Sequence, residues 1–168
     1  MKKVIVVPYD ENWKSEFERI KTELSCALGN LAIAIEHIGS TSVEGLSAKP
    51  IIDIDVIIKD YNSFEAVKEK LSEIGYRYEG DLGVKDRQTF KYDDKPDLMK
   101  HHLYICPKYS EALKLHIAFR NYLRSHPQDR DWYGAVKILA AQRYPEEMES
   151  YMTAKSPCAA EIVRKCAL

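Results

Sequence analysis

Apolar and polar residues alternate along residues 51–58, which read Ile-Ile-Asp-Ile-Asp-Val-Ile-Ile. Side chains two residues apart lie on the same face of a β-strand, so Ile52, Ile54 and Val56 share one face while Asp53 and Asp55 share the other. The neighbouring positions are nearly all isoleucine, which is typical of a central strand. The pattern therefore predicts a buried strand, Ile51–Ile58, that presents two carboxylates on one face.

Apolar spacing and turn residues predict the other elements. Strands are expected at Ala32–Ile38, Tyr76–Tyr78, Gln88–Tyr92 and His101–Cys106. Helices are expected at Asn12–Leu28, Ser42–Leu46 (a short one), Ser63–Ile74, Ser110–Ser125, Pro127–Arg143, Pro145–Tyr151 and Ser156–Ala167. A chain of 168 residues is long enough for one complete core, so residues 1–168 are expected to form a single domain. The fold class is α+β, with a mixed sheet of about four to five strands, helices packed on it and a helical C-terminal third from about residue 110 to 168.

Charge and cysteine content limit the classes of partner. The formal net charge of −1 comes from many charges of both signs, whereas nucleic-acid and membrane binders usually carry a basic excess. No apolar stretch approaches the roughly 20 residues of a membrane span, and the N-terminal apolar run is too short for a signal peptide. The four cysteines show no C-x-x-C spacing, as expected for reduced thiols. These features indicate a cytoplasmic protein without a membrane or nucleic-acid partner.

The carboxylates of Asp53 and Asp55 are the first candidates for chemistry. Two carboxylates on one face of a buried strand repel each other and are costly to desolvate, and a divalent cation between them removes both costs. Upstream, Gly39-Ser40-Thr41 follows an apolar run and precedes the predicted short helix. A small-residue turn in that position offers backbone N–H groups to a phosphate, although Ser40 is equally suited to a turn or cap role. The sequence therefore predicts a metal site that faces a phosphate site.

Cationic residues supply further candidates for phosphate contact. Lys49, fixed by Pro50 just before the carboxylate strand, is the first of them. His116, Arg120 and Arg124 follow at intervals of four on one helix face, with Lys137 on the next helix. Such a stripe either faces the carboxylates or forms a solvated helix face, and spacing alone favours the solvated face. Arg87 and Lys91 are weaker candidates near a strand.

Histidines could complete a metal site. The pair His101-His102 places one imidazole on each face of its predicted strand, and one of them could reach the carboxylate face. A ligand set of Asp53, Asp55 and His102 accepts manganese, iron or zinc more readily than magnesium. A histidine in a core is nonetheless more often a hydrogen-bonded structural group than a ligand.

Several segments together resemble the GrpB family, a mostly bacterial group within the nucleotidyltransferase superfamily. The matching segments are Val7-Pro8-Tyr9-Asp10 with Trp13, the block Glu36–Asp55, His101-His102-Leu103, Ala118–Arg124, and Tyr151 with Ala154-Lys155. The resemblance implies a nucleotidyltransferase fold, in which a Gly-Ser turn (Gly39-Ser40) lies beside the nucleotide phosphates. In that superfamily an Asp-x-Asp pair, here Asp53 and Asp55, holds two magnesium ions with a third carboxylate from a later strand.

The third carboxylate is the point at which this chain departs from that pattern. The later strand His101–Cys106 contains no acid. Either a histidine stands in its place, or an acid from elsewhere fills it; the acids considered are Glu36, Asp86, Asp93 and Asp94.

The resemblance implies a metal-dependent transfer of a nucleoside monophosphate from a nucleoside triphosphate to a hydroxyl of a small molecule or a protein. Asp53 and Asp55 would hold Mg²⁺ or Mn²⁺, and Gly39, Ser40, Thr41, Lys49 and Arg120 would hold phosphates. One alternative is a nucleotide- or metabolite-binding module of the same fold that has lost transfer chemistry. Another is a hydrolase or sensor that uses a transition metal on Asp53, Asp55 and His102. Trp13, Trp132 and the many tyrosines leave a homodimer contact open.

Overall fold

A five-stranded sheet forms the centre of the computed structural model, which describes residues 3–166. Its strands are β1 (Ala34–Ile38), β2 (Ile52–Ile58), β3 (Arg77–Gly80), β4 (Gln88–Lys91) and β5 (His101–Pro107). Their order across the sheet is β1-β2-β5-β4-β3. The β2 and β5 strands are parallel, and the other neighbours are antiparallel. The predicted α+β class with a mixed sheet is confirmed.

Helices precede, interrupt and follow the strands. They are α1 (Asn12–Leu28), α2 (Phe64–Glu73), α3 (Glu111–Ser125), α4 (Pro127–Arg143) and α5 (Met148–Lys165). The predicted bounds of α1 and α4 agree with the structure, and the C-terminal third is helical as expected. Within residues 3–166, no helix combines the length and the apolar character needed to cross a membrane.

The alternation of side chains along β2 determines which face of the sheet packs against α1 and α2. Ile52, Ile54 and Val56 are completely buried, in one cluster with apolar residues of α1 and α2. Each such side chain contributes roughly 1.5–3 kcal/mol when it leaves water. Asp53 and Asp55 consequently point to the opposite face, where the α3 helix supplies a contact to Asp55.

A second apolar cluster attaches the helical third to the segment between β1 and β2. Leu123 of α3, Tyr133 of α4 and Ile162 of α5 pack together with Val43 and Leu46, both of which are fully buried. The C-terminal helices are therefore fixed on the loop that connects the Gly39-Ser40 turn to the carboxylate strand.

The prediction of a short helix at Ser42–Leu46 was wrong. A single 3₁₀ turn, Ser40–Ser42, lies there instead, and Val43 is already extended. Ser42 Oγ donates to the carbonyl of Gly39 and closes the turn, while Gly45 adopts φ +81° and bends the chain. So few residues cannot offset the cost of starting a helix.

The two final helices predicted at Pro145–Tyr151 and Ser156–Ala167 are one continuous helix, α5, and Ala167 lies outside the described residues. Pro157 lies inside that helix and removes one backbone hydrogen bond. Pro157 is on the exposed side, where water can satisfy the freed carbonyl. Tyr151 before it and Ile162 after it are both buried and hold the helix on its neighbours.

Candidate active site

Each of the two strand carboxylates accepts a hydrogen bond from a histidine. Nδ1 of His102 donates to Oδ1 of Asp53 over 2.8 Å, and Nδ1 of His116 donates to Oδ2 of Asp55 over 2.7 Å. His102 lies on β5 directly opposite Asp53 in the parallel register. A histidine therefore stands beside the carboxylate pair on the strand from which the resemblance led us to expect an acid.

Three of the four acids proposed as substitutes have partners of their own. Glu36 is the cross-strand neighbour of Asp55 but binds Arg120 over 2.7 Å. Asp86 accepts a hydrogen bond from the Tyr61 hydroxyl, and Asp93 pairs with Arg77. Asp94 lines a cavity that His102 also lines.

Asp53 and Asp55 differ sharply in exposure. The Asp53 side chain is 29 % exposed, whereas that of Asp55 is completely buried. Burial raises the pKa of Asp55, and the hydrogen bond from His116 opposes that increase. The second oxygen of Asp55, Oδ1, is buried and has no hydrogen-bond partner among residues 3–166. Asp53 is thus the accessible carboxylate, and Asp55 holds an acceptor that still needs a partner.

Gly39 allows the turn to lie against Asp53. Its φ is +71°, and a Cβ at this position would overlap Oδ2 of Asp53. Behind the turn, His37 Nε2 shares a 2.9 Å hydrogen bond with the Thr41 hydroxyl, and burial lowers the pKa of His37 to about 4. His37 is therefore a neutral, structural histidine that orients Thr41.

A cavity of about 260 Å³ opens beside Asp53, between the turn, the sheet and the C-terminal helices. Lys137 of α4 donates from Nζ to Oγ of Ser40 over 2.8 Å. Ser40, Thr41, Lys49, Asp53, His102, Tyr104, Lys137, Tyr151 and Lys155 are among its lining residues. Its volume is below the roughly 300–1,000 Å³ of sites that enclose a whole small molecule, and suits a phosphate chain better than an entire nucleotide.

The lysines Lys49, Lys137 and Lys155, here called the lysine triad, give the cavity its electrostatic character. Burial lowers the pKa of all three, and that of Lys137 falls to about 7. Mutual repulsion adds to this effect, while Asp53 opposes it. In the described part of the chain no carboxylate forms an ion pair with any of the three. A polyvalent anion in the cavity would remove this repulsion and restore their charge.

The structure brings most of the predicted site residues together but separates Arg120 from them. Gly39, Ser40, Thr41 and Lys49 gather around Asp53. Arg120 instead donates to Glu36 Oε2 and, over 3.0 Å, to the carbonyl of His37.

Arg124, next on that helix face, donates twice to the carbonyl of Ser42. The two arginines hold the turn from behind, on the side away from the cavity.

Two contributions escaped the sequence analysis. His116 was assigned to a basic stripe with Arg120, whereas it is the partner of a carboxylate in the sheet. The sequence indicates Lys155 only through the family motif.

The sequence pattern could have identified Lys137 as a buried lysine, because it lies on the same face of α4 as the buried Tyr133, Ala140 and Ala141. A lysine on an apolar helix stripe is rarely buried without a purpose.

The described residues contain no group of three or more histidine, cysteine, aspartate or glutamate side chains that could hold a metal ion. A cation at Asp53 and Asp55 would therefore take further ligands from water or from substrate phosphates. Mg²⁺ is usually held in this way, with one or two carboxylates from the protein.

Comparison with known proteins extends over nearly the whole chain. The sequence model of the family described as GrpB protein matches residues 3–165. The crystal structure of the conserved protein GrpB from Enterococcus faecalis is 34% identical, with a TM-score of 0.82 over 96% of this chain and 98% of that one. The protein YqkA of Bacillus subtilis is 31% identical over 92% of this chain, which spans only 44% of the length of YqkA.

More distant structures share the fold. The Cid1 poly(U) polymerase bound to MgATP superposes with a TM-score of 0.56 at 11% identity, over 83% of this chain and 44% of that one. At such low identity the match concerns the architecture alone, which is the nucleotidyltransferase-like fold.

Proposed function

Since the chain belongs to the GrpB family and has a nucleotidyltransferase-like fold, we propose that it is a metal-dependent nucleotidyltransferase. It moves a nucleoside monophosphate from a nucleoside triphosphate to a hydroxyl of a small molecule or a protein. The observation that carries this proposal is the position of the lysine triad and Ser40 directly beside Asp53. Phosphate-binding cations next to an accessible carboxylate are what phosphoryl transfer requires.

The carboxylate pair fits a divalent cation. Oδ1 of Asp53 is taken by His102, which leaves Oδ2 available, and Asp55 retains a buried oxygen without a partner. A bound Mg²⁺ or Mn²⁺ would supply positive charge to the α-phosphate and to the attacking oxygen. Carboxylate oxygens completed by phosphate and water form the ligand set that these ions prefer.

The protein side chains bind the substrate and manage the proton. The lysine triad and the Ser40 hydroxyl bind the β- and γ-phosphates and then the pyrophosphate that leaves. Asp53 holds His102 with Nδ1 as the donor, so Nε2 of His102 is free to accept the proton of the attacking hydroxyl. The acceptor oxygen bonds to the α-phosphorus as the bond from that phosphorus to the bridging oxygen breaks.

A binding titration tests the proposal directly. Metal-stripped protein is titrated with each nucleoside triphosphate, in Mg²⁺ and then in Mn²⁺, and pyrophosphate release is followed in parallel. We expect one nucleotide to bind only with metal, and the Asp53→Asn variant to lose this binding and all turnover while it remains folded. Asp131→Asn changes an exposed aspartate that does not line the cavity, and as the matched control it should behave as wild type. Retained turnover in a folded Asp53→Asn protein contradicts the assignment.

A binding module without transfer chemistry is a second candidate function. The observation that favours it is His102, which lies opposite Asp53 where the superfamily pattern leads us to expect an acid. In that case a nucleotide or metabolite binds, Asp53→Asn leaves much of the binding intact, and no pyrophosphate forms with any hydroxyl acceptor. The predicted transition-metal set of Asp53, Asp55 and His102 is not formed, because the described residues contain no group of three such side chains placed to hold a metal ion.

A further inference from the structure

A larger cavity, of about 680 Å³, lies beside the first and shares His102 and Tyr104 with it. It is bounded by β4, β5 and the segment 91–100. Because His102 forms part of both walls, a molecule in this second cavity can contact the same imidazole as a molecule beside the lysine triad. It can therefore present a hydroxyl to His102, whose hydrogen-bond partner Asp53 lines the first cavity.

The side chain of Arg87 lines this cavity and has unsatisfied hydrogen-bond donors. Its guanidinium lies over the ring of Tyr104, with 4.6 Å from Cζ to the ring centroid. Within residues 3–166 its side chain forms neither a hydrogen bond nor an ion pair, and its Nε is buried without an acceptor. A guanidinium has five N–H donors, and leaving a buried one unpaired costs free energy.

A second orphaned group lies beside it. Thr89 is opposite Tyr104 in the β4–β5 register and lines the same cavity, and its buried Oγ1 likewise finds no partner in the described part of the chain. Two unpaired polar side chains on one wall indicate a surface that is completed by a ligand.

We propose that the second cavity is the acceptor site of the transfer reaction, and that its acceptor is a small hydroxyl compound that carries a carboxylate or phosphate group. Arg87 binds that anionic group, preorganised by its stacking on Tyr104. The acceptor hydroxyl bonds to the α-phosphorus, its proton passes to Nε2 of His102, and pyrophosphate leaves from the lysine side. This inference rests on the proposed function and specifies the substrate class of that site.

Charge and size favour a small anion over a protein or nucleic-acid acceptor. Asp93 and Lys95, which also line the cavity, are already paired with Arg77 and Glu23. Among the described residues Arg87 and Lys100 have no such partner, and neither does the carboxylate of Asp94, so the net charge left facing the cavity is positive. The volume lies within the range of sites that enclose small molecules.

Titration with two simple probes tests the acceptor site without nucleotide. Glycerol 3-phosphate and glycerate each carry a hydroxyl and an anionic group, one a phosphate and the other a carboxylate. Binding of each is measured by calorimetry for wild type, Arg87→Ala and Arg87→Lys, and the NMR signal of Arg87 Nε–H is followed in wild type. The matched control is Arg143→Ala, which removes an exposed arginine that lies over Tyr144 away from both cavities.

We expect one probe to bind and to shift the Arg87 Nε–H signal, and the probe that binds identifies the anionic group. Arg87→Ala should weaken that binding at least about tenfold and Arg87→Lys should recover it only in part, because lysine lacks the planar fork. Arg143→Ala should bind as wild type does.

Three results would overturn the acceptor assignment. The first is that wild-type protein binds neither probe. The second is that the Arg87 Nε–H signal of wild type does not shift and Arg87→Ala binds the probe as tightly as wild type does. The third is that Arg87→Ala loses metal-dependent nucleotide binding. The last result would move Arg87 into the nucleotide site. Absence of metal-dependent nucleotide binding in wild type, by contrast, is the failure of the proposed function, and the titration with Asp53→Asn detects it separately.

Discussion

His116 of α3 donates a 2.7 Å hydrogen bond from Nδ1 to Oδ2 of Asp55, in the middle of β2. This contact joins the helical third of the chain to a carboxylate that is completely buried in the sheet. A buried charge without a partner is strongly destabilising, so the α3 helix stabilises the centre of the sheet as well as covering it.

Removal of this imidazole should destabilise the protein in a pH-dependent manner. We expect His116→Ala to lower the free energy of unfolding by about 3 kcal/mol at neutral pH. Burial raises the pKa of Asp55 above 3.8, and loss of His116 raises it further. Below the unfolded pKa the carboxyl is protonated in both states, so the penalty for its charge disappears there. Urea unfolding at neutral and acidic pH measures the difference, with the exposed His126→Ala as control; equal losses at both pH values would contradict the mechanism.

Gly39→Ala should impair metal-dependent nucleotide binding more than it destabilises the fold. The new Cβ overlaps Oδ2 of Asp53 and sits at φ +71°, so we expect a loss of about 2–3 kcal/mol and displacement of the Asp53 side chain. Gly83→Ala is the matched control, since Gly83 has φ +80° but open space around its Cβ position. It should lose about 1 kcal/mol from strain and retain metal-dependent nucleotide binding. Equal nucleotide binding by the two variants would show that Asp53 does not depend on the close approach of the turn.

The lysine triad should bind anions in a pH-dependent way. Lys137 has a pKa of about 7, below the ordinary 10.5, so it is charged below neutrality and loses its charge as the pH rises. Sulfate keeps its charge across this range and is the probe. We expect its binding to weaken about tenfold between about pH 6 and about pH 8.

Lys137→Met should bind sulfate weakly at both pH values, and the exposed Lys108→Met should retain the full response. If sulfate binding by Lys137→Met weakened with pH as it does in wild type, the pH dependence would belong to another group.

Arg124 should hold the turn Ser40–Ser42 in place. Its Nε and one terminal nitrogen donate to the carbonyl of Ser42 over 3.0 and 2.7 Å. We expect Arg124→Met to cost about 1–2 kcal/mol and to accelerate amide hydrogen exchange at residues 40–43. Arg130→Met removes one 3.3 Å bond to the carbonyl of Glu44 and the pair with the neighbouring Asp131, and it serves as the control. Unchanged exchange in Arg124→Met would show that the turn holds its shape without the arginine.

The elements of the fold could be predicted wherever local pattern decides them. The isoleucine alternation around Asp53 and Asp55 identified the central strand, and helical spacing identified α1 to the residue. Local rules were wrong where tertiary packing overrides them. Pro157 is tolerated inside α5 because buried residues on both sides hold the helix on its neighbours. Ser42–Leu46 stays non-helical because its turn is closed by side-chain and backbone contacts.

The candidate site could be predicted only in part, because its contacts join distant segments. The sequence offered His102 as a neighbour of the carboxylates, and it lies beside Asp53. It offered no means to separate His116 from Arg120, since they share a helix stripe yet bind different strands. Which of several basic residues converge on one cavity depends on how α4 and α5 pack, and no local signal specifies that packing.

The two sides of the cavity beside Asp53 belong to different apolar clusters. Asp53 and His102 lie on a sheet whose core is shared with α1 and α2, whereas Lys137 and Lys155 lie on helices that have apolar clusters of their own. A shift of the α4–α5 pair would therefore open the site without exposing the main core. Under the proposed function, the free energy that governs substrate entry and pyrophosphate release would be that of these helical clusters, so the speed of turnover could be tuned without altering the stability of the sheet.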